Sequence, residues 1–174
     1  MDPDEMIRRE ALRRGYSIRT IDTYCYCVKR FLNSMHKDIK LITKQEVKDY
    51  LYSRVERGAS GHTINVYLQA IKFFFEECLR RKITPGITYS KTPREIPVFL
   101  TKEEIISIFE AVANQKHRLM LKLMYSAGLR VSELLSLKIQ DLQIPSGYGW
   151  VRHGKGNKDR PFLIAQKLQQ GLVE

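Results

Sequence analysis

The sequence predicts a mainly α-helical protein in which an N-terminal helical bundle is linked to an α+β part with a small antiparallel β-hairpin sheet. Three observations support this fold class. Apolar residues recur at helical spacing through most of the 174 residues, a proline-rich stretch without that period interrupts them, and two short strand-like runs flank a glycine-rich loop. We therefore expect a helical domain over residues 1–82, a linker over 83–98 and a second domain over 99–174.

The N-terminal domain is expected to contain three amphipathic helices after a charged lead-in. Ser17 is a suitable N-cap for the first helix, whose apolar stripe runs from residue 18 to residue 35. Thr43 and Glu46 form a capping box at the start of a short second helix. Each of these helices therefore has its own start signal.

The third helix carries the most regular apolar stripe of the chain, and it begins after Ser60. Its three consecutive phenylalanines are predicted to lie in the core, because such a run inside a helical stripe is typical of packing rather than of base stacking. Among them, Phe73 alone is considered for exposure.

Residues 83–97 contain three prolines and no helical period, which indicates an extended linker. Thr101 and Glu104 form a second capping box, which begins the next domain. A helix dense in Leu and Met, predicted inside this domain at residues 115–127, then leads to Gly128.

A further short helix is expected after Gly128, with a buried face made of Leu134, Leu135 and Leu137. Two short strands, at residues 150–153 and 160–164, should follow and form the hairpin. His153 is assigned to the first of these strands rather than to a metal site. The last residues, from Ala165 on, are predicted to begin another helix.

The formal net charge is +11, and the excess of Lys and Arg is shared by both halves of the chain. A basic excess spread in this way favours a polyanionic partner, nucleic acid above all, although a lysine-rich solvated surface explains the charge equally well. The three cysteines, Cys25, Cys27 and Cys78, are expected to be reduced thiols, since their spacing suits neither a disulfide framework nor a zinc site. Without a membrane-length apolar run or a signal peptide, we expect a cytoplasmic protein with no membrane partner.

Two motifs about twenty residues apart carry the candidate chemistry. In the first, the turn at Gly128 places Arg130 and Glu133 at the start of a helix, where free backbone N–H groups and the helix dipole favour an anion such as phosphate. In the second, Lys155 lies at the tip of the glycine-rich hairpin, from which a lysine can donate a proton to a substrate oxygen. On physical grounds alone, Lys158 of the same loop is an equal candidate.

The motif A-G-L-R-x-S-E-L followed by G-K-G-N-K-[DE]-R resembles the first half of the catalytic domain of tyrosine recombinases, and the Xer branch in particular. The resemblance implies a SAM-like core-binding domain before the catalytic domain, and a reaction in which a tyrosine attacks a DNA phosphodiester and a strand is later rejoined. It assigns Arg130 to the phosphate oxygens, Glu133 to their support and Lys155 to the leaving 5′-oxygen. Lys158 and Arg160 are assigned to the DNA backbone.

The same resemblance implies double-stranded DNA as the partner, four protomers in the complete reaction, and neither a metal nor a cofactor. In the N-terminal half it suggests a domain that clasps the duplex through basic and polar side chains. The candidate phosphate contacts are Arg8, Arg9, Arg13, Arg14, Arg19, Lys29, Arg57, His62, Asn65, Lys72 and Arg80.

The family's remaining site residues, a His-x-x-Arg motif and the tyrosine nucleophile, are not found in this sequence: none of the four histidines is followed by Arg at the third position. We therefore expect that this chain alone does not cleave DNA, and that its second half exposes apolar surface and for that reason self-associates or is poorly ordered. Two alternatives stay open, a helix-turn-helix regulator built on the Gly128 turn and a natural DNA-binding fragment without cleavage activity.

Overall fold

The computed structural model describes residues 2–93, 96–154, 156 and 158–173. The chain divides into two units, one ending at Ile96 and the other beginning at Pro97. The first unit is entirely helical in its regular structure. Its helices are α1 Pro3–Arg13, α2 Ile18–Met35, α3 Lys44–Glu56 and α4 Gly61–Lys72, with a 3₁₀ turn at Ile39–Leu41 and a π-helical segment at Phe73–Cys78 that continues α4.

The segment that the sequence predicts to be a charged lead-in forms helix α1. Asp2 caps it, and Ile7 and Ala11 are its only fully buried side chains. These two residues lie one turn apart and face α2, while the rest of the helix is polar. The prediction was wrong because two buried positions are too few to produce a recognisable apolar period.

The predicted start signals of the next three helices are confirmed. The hydroxyl of Ser17 accepts the N–H of Thr20 at 3.2 Å, and that of Ser60 accepts the N–H of Thr63 at 3.2 Å. At α3, Glu46 and Thr43 exchange the two bonds of a capping box. Helix α2 packs against α1 and α4, and α3 packs against α4, so the bundle is organised around α2 and α4.

The prediction that the three consecutive phenylalanines lie in the core is confirmed, and it holds also for Phe73, the one considered for exposure. Its ring packs against Tyr16 and Tyr24, with centroid separations of 5.5 and 5.4 Å. Three successive helical side chains point in directions about 200° apart in total, so a single core face cannot cover them all. They are all buried because α1 packs on this segment and α2 covers it as well, through Tyr24 on Phe73 and Phe31 on Phe75.

The first part of the predicted linker packs on the N-terminal unit. The hydroxyl-bearing Thr84 is buried, and Ile83 and Ile87 lie against the first core. The side-chain amide of Asn65 accepts the N–H of Ser90 at 2.7 Å and donates to the Ser90 carbonyl at 2.9 Å. Residues 83–90 therefore extend the first unit without forming a helix.

The second unit combines short helices with a three-stranded antiparallel sheet in the order β1-β2-β3. Its β2 and β3 form the predicted hairpin, with Gly149 opposite Phe162 and Val151 opposite Arg160. A third strand, β1, was not predicted, because two residues are too short to show alternation. The elements are α5 Lys102–Ala111, α6 Gln115–Ala127, α7 Val131–Ser136, β1 Leu142–Gln143, β2 Tyr148–Val151, β3 Arg160–Leu163 and α8 Gln166–Gln169, with 3₁₀ turns at Ile139–Asp141, Ile144–Ser146 and Gln170–Leu172.

The second core is smaller than the first, and it corrects two predictions. Leu123 is the one fully buried residue of α6, so this helix lies at the surface of its unit rather than inside it. In α7, Leu134 is buried but Leu135 is 68% exposed. Glu133 and Leu134 are the two buried side chains of α7, and Leu135, about 100° further round the helix, lies beyond the face that they form.

Other large apolar side chains of the second unit are also exposed, including Ile139 at 88% and Leu163 at 78%. The expected apolar surface is thus present, while self-association stays a prediction. Among the residues that the structure describes, none of the helices combines the length and the hydrophobicity that crossing a membrane requires.

Candidate functional site

The turn between α6 and α7 places Arg130 at a helix N-terminus. Helix α6 ends at Gly128, whose φ of +59° is the left-handed conformation that favours glycine. The N–H of Leu129 then donates to the carbonyl of Met124 at 3.0 Å, and the Leu129 side chain is buried. Because the turn is anchored on both sides, Arg130 occupies the N-cap position of α7 with an extended backbone.

Glu133 is the centre of the site, and its side chain is only 5% exposed. Its Oε2 accepts the backbone N–H of Arg130 at 2.9 Å, and its Oε1 accepts the Arg130 guanidinium at 2.7 Å. The guanidinium of Arg160 donates to Oε2 at 2.8 Å and to the carbonyl of Gly128 at 3.2 Å. A buried carboxylate is thus held by two arginines from different elements.

These donors hold the pKa of Glu133 at about 2. The backbone N–H of Arg130 is the largest cause, and the two guanidinium groups add to it, whereas burial alone would raise the pKa. One carboxylate facing two guanidinium groups leaves one net positive charge. Since the Arg130 side chain is 57% exposed, that charge is available to an anion from solution.

Replacing Glu133 by glutamine is expected to destabilise the second unit by about 2 kcal/mol at neutral pH, because a buried hydrogen-bonded carboxylate is lost. The wild-type carboxylate, with its pKa lowered from 4.5, stabilises the fold above pH 4.5 and loses this effect as the pH falls towards about 2. Stability of the variant should therefore depend less on pH in that range. Trp150, the only tryptophan and a residue of β2, reports urea unfolding of this unit by fluorescence.

The matched control for this experiment is Glu110→Gln, which removes an exposed carboxylate and should change the stability by less than about 0.5 kcal/mol. An unaltered acid profile in Glu133→Gln would contradict the assigned hydrogen bonds.

The base of the hairpin lies directly over Glu133. The N–H of Gly154 donates to the carbonyl of Lys158 at 3.0 Å, and a Cβ at Gly154 would lie 3.5 Å from Oε1 of Glu133. Together with Arg130 and Arg160, these residues line an open cleft of about 530 Å³. Lys158 is exposed in this cleft, whereas Lys155 lies outside the described residues.

A second network holds the two arms of the hairpin together. Arg152 lies over the ring of Trp150 at 4.9 Å from its centroid, and its guanidinium donates to Asp159 at 2.8 Å. This bond is the largest cause of the lowered pKa of Asp159, which also accepts the backbone N–H of His153 at 2.9 Å. His153 has a φ of +51° and follows the end of β2, so its assignment to a strand was wrong. A pattern of alternating residues does not show where a strand gives way to a turn, and His153 already belongs to the turn.

The basic residues of the first unit differ in their availability. Arg8 pairs with Asp22, Arg13 and Arg14 pair with Glu10, and Arg14 and Arg80 also pair with Glu77. Within the part of the chain that the structure describes, the other basic candidates are exposed and have no ion pair. These are Arg9, Arg19, Lys29, Arg57, His62 and Lys72.

Helix α4 presents several polar candidates on one face. His62, Asn65, Gln69 and Lys72 follow one another at steps of three and four residues and thus share a side of the helix. His62, Gln69 and Lys72 are exposed, whereas both polar atoms of Asn65 are bound to Ser90. Gln69 is not among the candidates from the sequence, although it lies four residues after Asn65 and three before Lys72 and so shares their helical spacing.

All three cysteines are free thiols, and burial raises the pKa of Cys27 and of Cys78 to about 11. Thiols with such pKa values are poor nucleophiles at neutral pH. A group of three or more His, Cys, Asp or Glu side chains that could hold a metal ion is not found among the residues described above.

Two family models match the sequence. Residues 5–85 match the phage integrase N-terminal SAM-like domain, and residues 98–174 match the phage integrase family. The "Tyrosine recombinase XerA" of Pyrococcus furiosus is 35% identical over 156 residues, which cover 88% of this chain and 53% of that protein. The chain thus spans about half the length of the curated relatives that it matches.

Solved structures show the same fold. The Tn1549 transposon integrase in complex with transposon right end DNA has a TM-score of 0.71 and 20% identity, over 98% of this chain and 63% of that one. A lambda integrase tetramer bound to a Holliday junction has a TM-score of 0.74 and 18% identity, over 98% of this chain and 51% of the integrase. The mainly helical fold with its small antiparallel sheet, predicted from the sequence, is thereby confirmed.

Proposed function

Because the chain belongs to the phage integrase family of tyrosine recombinases and is similar to its Xer members, we propose that it acts in site-specific DNA recombination, in which DNA is cleaved and rejoined through a phosphotyrosyl intermediate. The chain supplies the binding of duplex DNA and half of the active site. The other half, including the nucleophile, belongs to the complete recombinase, which assembles as a tetramer on DNA.

One observation above all supports this proposal, namely the exposed Arg130 guanidinium held at a helix N-terminus by the buried Glu133. Such a group binds the non-bridging oxygens of a phosphodiester and stabilises the charge that develops there during cleavage. Glu133 fixes its direction. Lys155, assigned from the hairpin motif, protonates the 5′-oxygen as it leaves. The chemistry requires these residues together with a tyrosine, and neither a metal nor a nucleotide.

In the first unit, we assign DNA contacts to the exposed cations that have no ion pair in the described part of the chain, with Gln69 beside them on α4. The assignment from the sequence is kept for Arg19, Arg57, His62 and Lys72. In the second unit it is kept for Lys158 of the hairpin. Arg13 and Arg14 stay candidates from the sequence, and we rank them below the unpaired cations because Glu10 and Glu77 hold their guanidinium groups. Asn65 is assigned to the packing of residues 83–90, because its amide is bound to Ser90.

The helix-turn-helix regulator is disfavoured by α7, which would have to be the recognition helix. It has only six residues, and its first turn is occupied by the buried Glu133 and its arginines. A recognition helix needs polar side chains that reach base edges in the major groove.

Binding of this chain to duplex DNA is expected to weaken steeply with salt, and the logarithm of affinity should fall linearly with the logarithm of salt concentration. Replacing Lys72 by glutamine should reduce the slope by about 1, because one phosphate contact is lost. The matched variant Arg13→Gln should change it less, because two hydrogen bonds to Glu10 hold this guanidinium on the protein. Fluorescence anisotropy with a labelled duplex measures both. Salt-insensitive binding would contradict the assignment and favour a protein-interaction module.

The 174-residue chain is expected to form no covalent adduct with a nicked duplex, because none of its tyrosines stands in the sequence context of the family's nucleophile. Denaturing gel electrophoresis of protein incubated with the labelled nicked duplex tests this. An adduct would refute the proposal that the nucleophile lies outside this chain. Binding without an adduct agrees with that proposal, and also with a natural DNA-binding protein that has no cleavage activity.

A further inference from the structure

Arg160 opens strand β3 on the side of the sheet that faces the core. Alternate residues of a strand share a face, so Arg160 lies on the same side as Phe162 and Ile164. Both of these are buried, at 5% and 4% exposure, whereas the intervening Leu163 is 78% exposed. The arginine therefore starts from the core-facing side of the sheet, and its side chain reaches the cleft beside Glu133.

A single terminal nitrogen of Arg160 connects three elements. It donates to Oε2 of Glu133 in α7 and to the carbonyl of Gly128 at the end of α6, while its own backbone belongs to β3. Carbonyls in the last turn of a helix lack partners within that helix, and a cation satisfies them well. Arg160 thus links the end of α6, the start of α7 and the hairpin.

Lys158 offers a contrast on the same hairpin. It is exposed in the cleft, and no ion pair holds it in the described residues. The Arg160 side chain is 38% exposed, and its guanidinium is already bound to a carboxylate that is 5% exposed. Of these two cations, Lys158 is the one without an ion pair among the described residues, and it is therefore the better candidate for a phosphate contact.

We propose that Arg160 is a positioning residue, which holds Glu133 and the hairpin against the start of α7 and thereby fixes the direction of the Arg130 guanidinium. This positioning role replaces the contact with the DNA backbone that the sequence analysis assigned to Arg160. The inference rests on the proposed function, because the direction of Arg130 matters only if Arg130 binds a phosphate. Without Arg160, the buried carboxylate keeps Arg130 as its only charged partner among the contacts described, and the hairpin loses its link to the site.

The first test does not involve DNA. The pKa of the Glu133 carboxyl is measured by carbon NMR in the wild-type chain and in Arg160→Gln. We expect the pKa to rise by about one unit in the variant, because a charge-assisted hydrogen bond is lost. Arg160→Lys keeps a cation that can donate to Glu133 and should retain most of the lowered pKa, and Lys158→Gln should leave it unchanged. An unchanged pKa in Arg160→Gln would overturn the inference.

The second test is a double-mutant cycle on DNA affinity, with Glu133→Gln as the other change. Arg160→Gln should weaken binding about 5-fold in the wild-type background and less than about 2-fold when Glu133 is already replaced. Its salt slope should equal that of the wild type, whereas Lys158→Gln should lower the slope by about 1. An equal loss in both backgrounds with a lower slope would identify Arg160 as a phosphate contact instead. If the wild-type chain fails to bind DNA, the proposed function fails, while the NMR measurement still decides whether Arg160 holds Glu133.

Discussion

Under the proposed function, replacing Arg130 by alanine is expected to lower the rate of DNA strand cleavage by the complete recombinase about 100- to 1,000-fold. The guanidinium is directed by Glu133 and preorganised before the phosphate arrives, so its loss removes stabilisation from the transition state rather than from the fold. The effect on DNA affinity should be much smaller, since many other phosphates remain bound. Single-turnover formation of the covalent adduct on a nicked substrate measures the rate.

Two further variants make the result specific to the guanidinium. Arg130→Lys keeps the charge but lacks the planar fork, and it should recover only a small part of the rate. The neighbouring Val131 is 60% exposed, and its replacement by alanine should leave the rate within about 2-fold of the wild type. A cleavage rate in Arg130→Ala close to that of the wild type would remove Arg130 from the active site.

Replacing Phe74 by alanine is expected to lower the free energy of unfolding of the first unit by about 4 kcal/mol. Its side chain is fully buried in the bundle core, and its ring meets that of Phe75 edge-on with centroids 5.2 Å apart. Alanine would leave a cavity that close-packed neighbours fill only in part. Urea unfolding followed by far-ultraviolet circular dichroism measures the loss.

Tyr52 on α3 provides the matched aromatic control, since it is 65% exposed. Its replacement by alanine should change the stability by less than about 0.5 kcal/mol. Equal effects of the two substitutions would show that the phenylalanine run is not the centre of the core.

Much of this molecule is determined by local sequence. The N-caps of Ser17, Thr43 and Ser60 act within one turn, and so does the left-handed turn at Gly128 that ends α6. For this reason most helix boundaries, and the position of Arg130 at the start of α7, could be predicted without a structure. Hydrogen bonds between residues three or four positions apart need no distant partner.

What the sequence alone could not decide depends on residues far apart in the chain. Helix α1 and the burial of Phe73 depend on neighbours that the bundle assembles around them. In the same way, Arg160 joins Glu133 across 27 positions of the chain. The sequence shows that Arg160 and Phe162 alternate along one strand, but it does not show that Arg160 binds the Glu133 carboxylate. Tertiary packing determines which charges find a partner in the fold and which remain exposed to solvent, because a cation and its carboxylate meet in space whatever their separation in sequence.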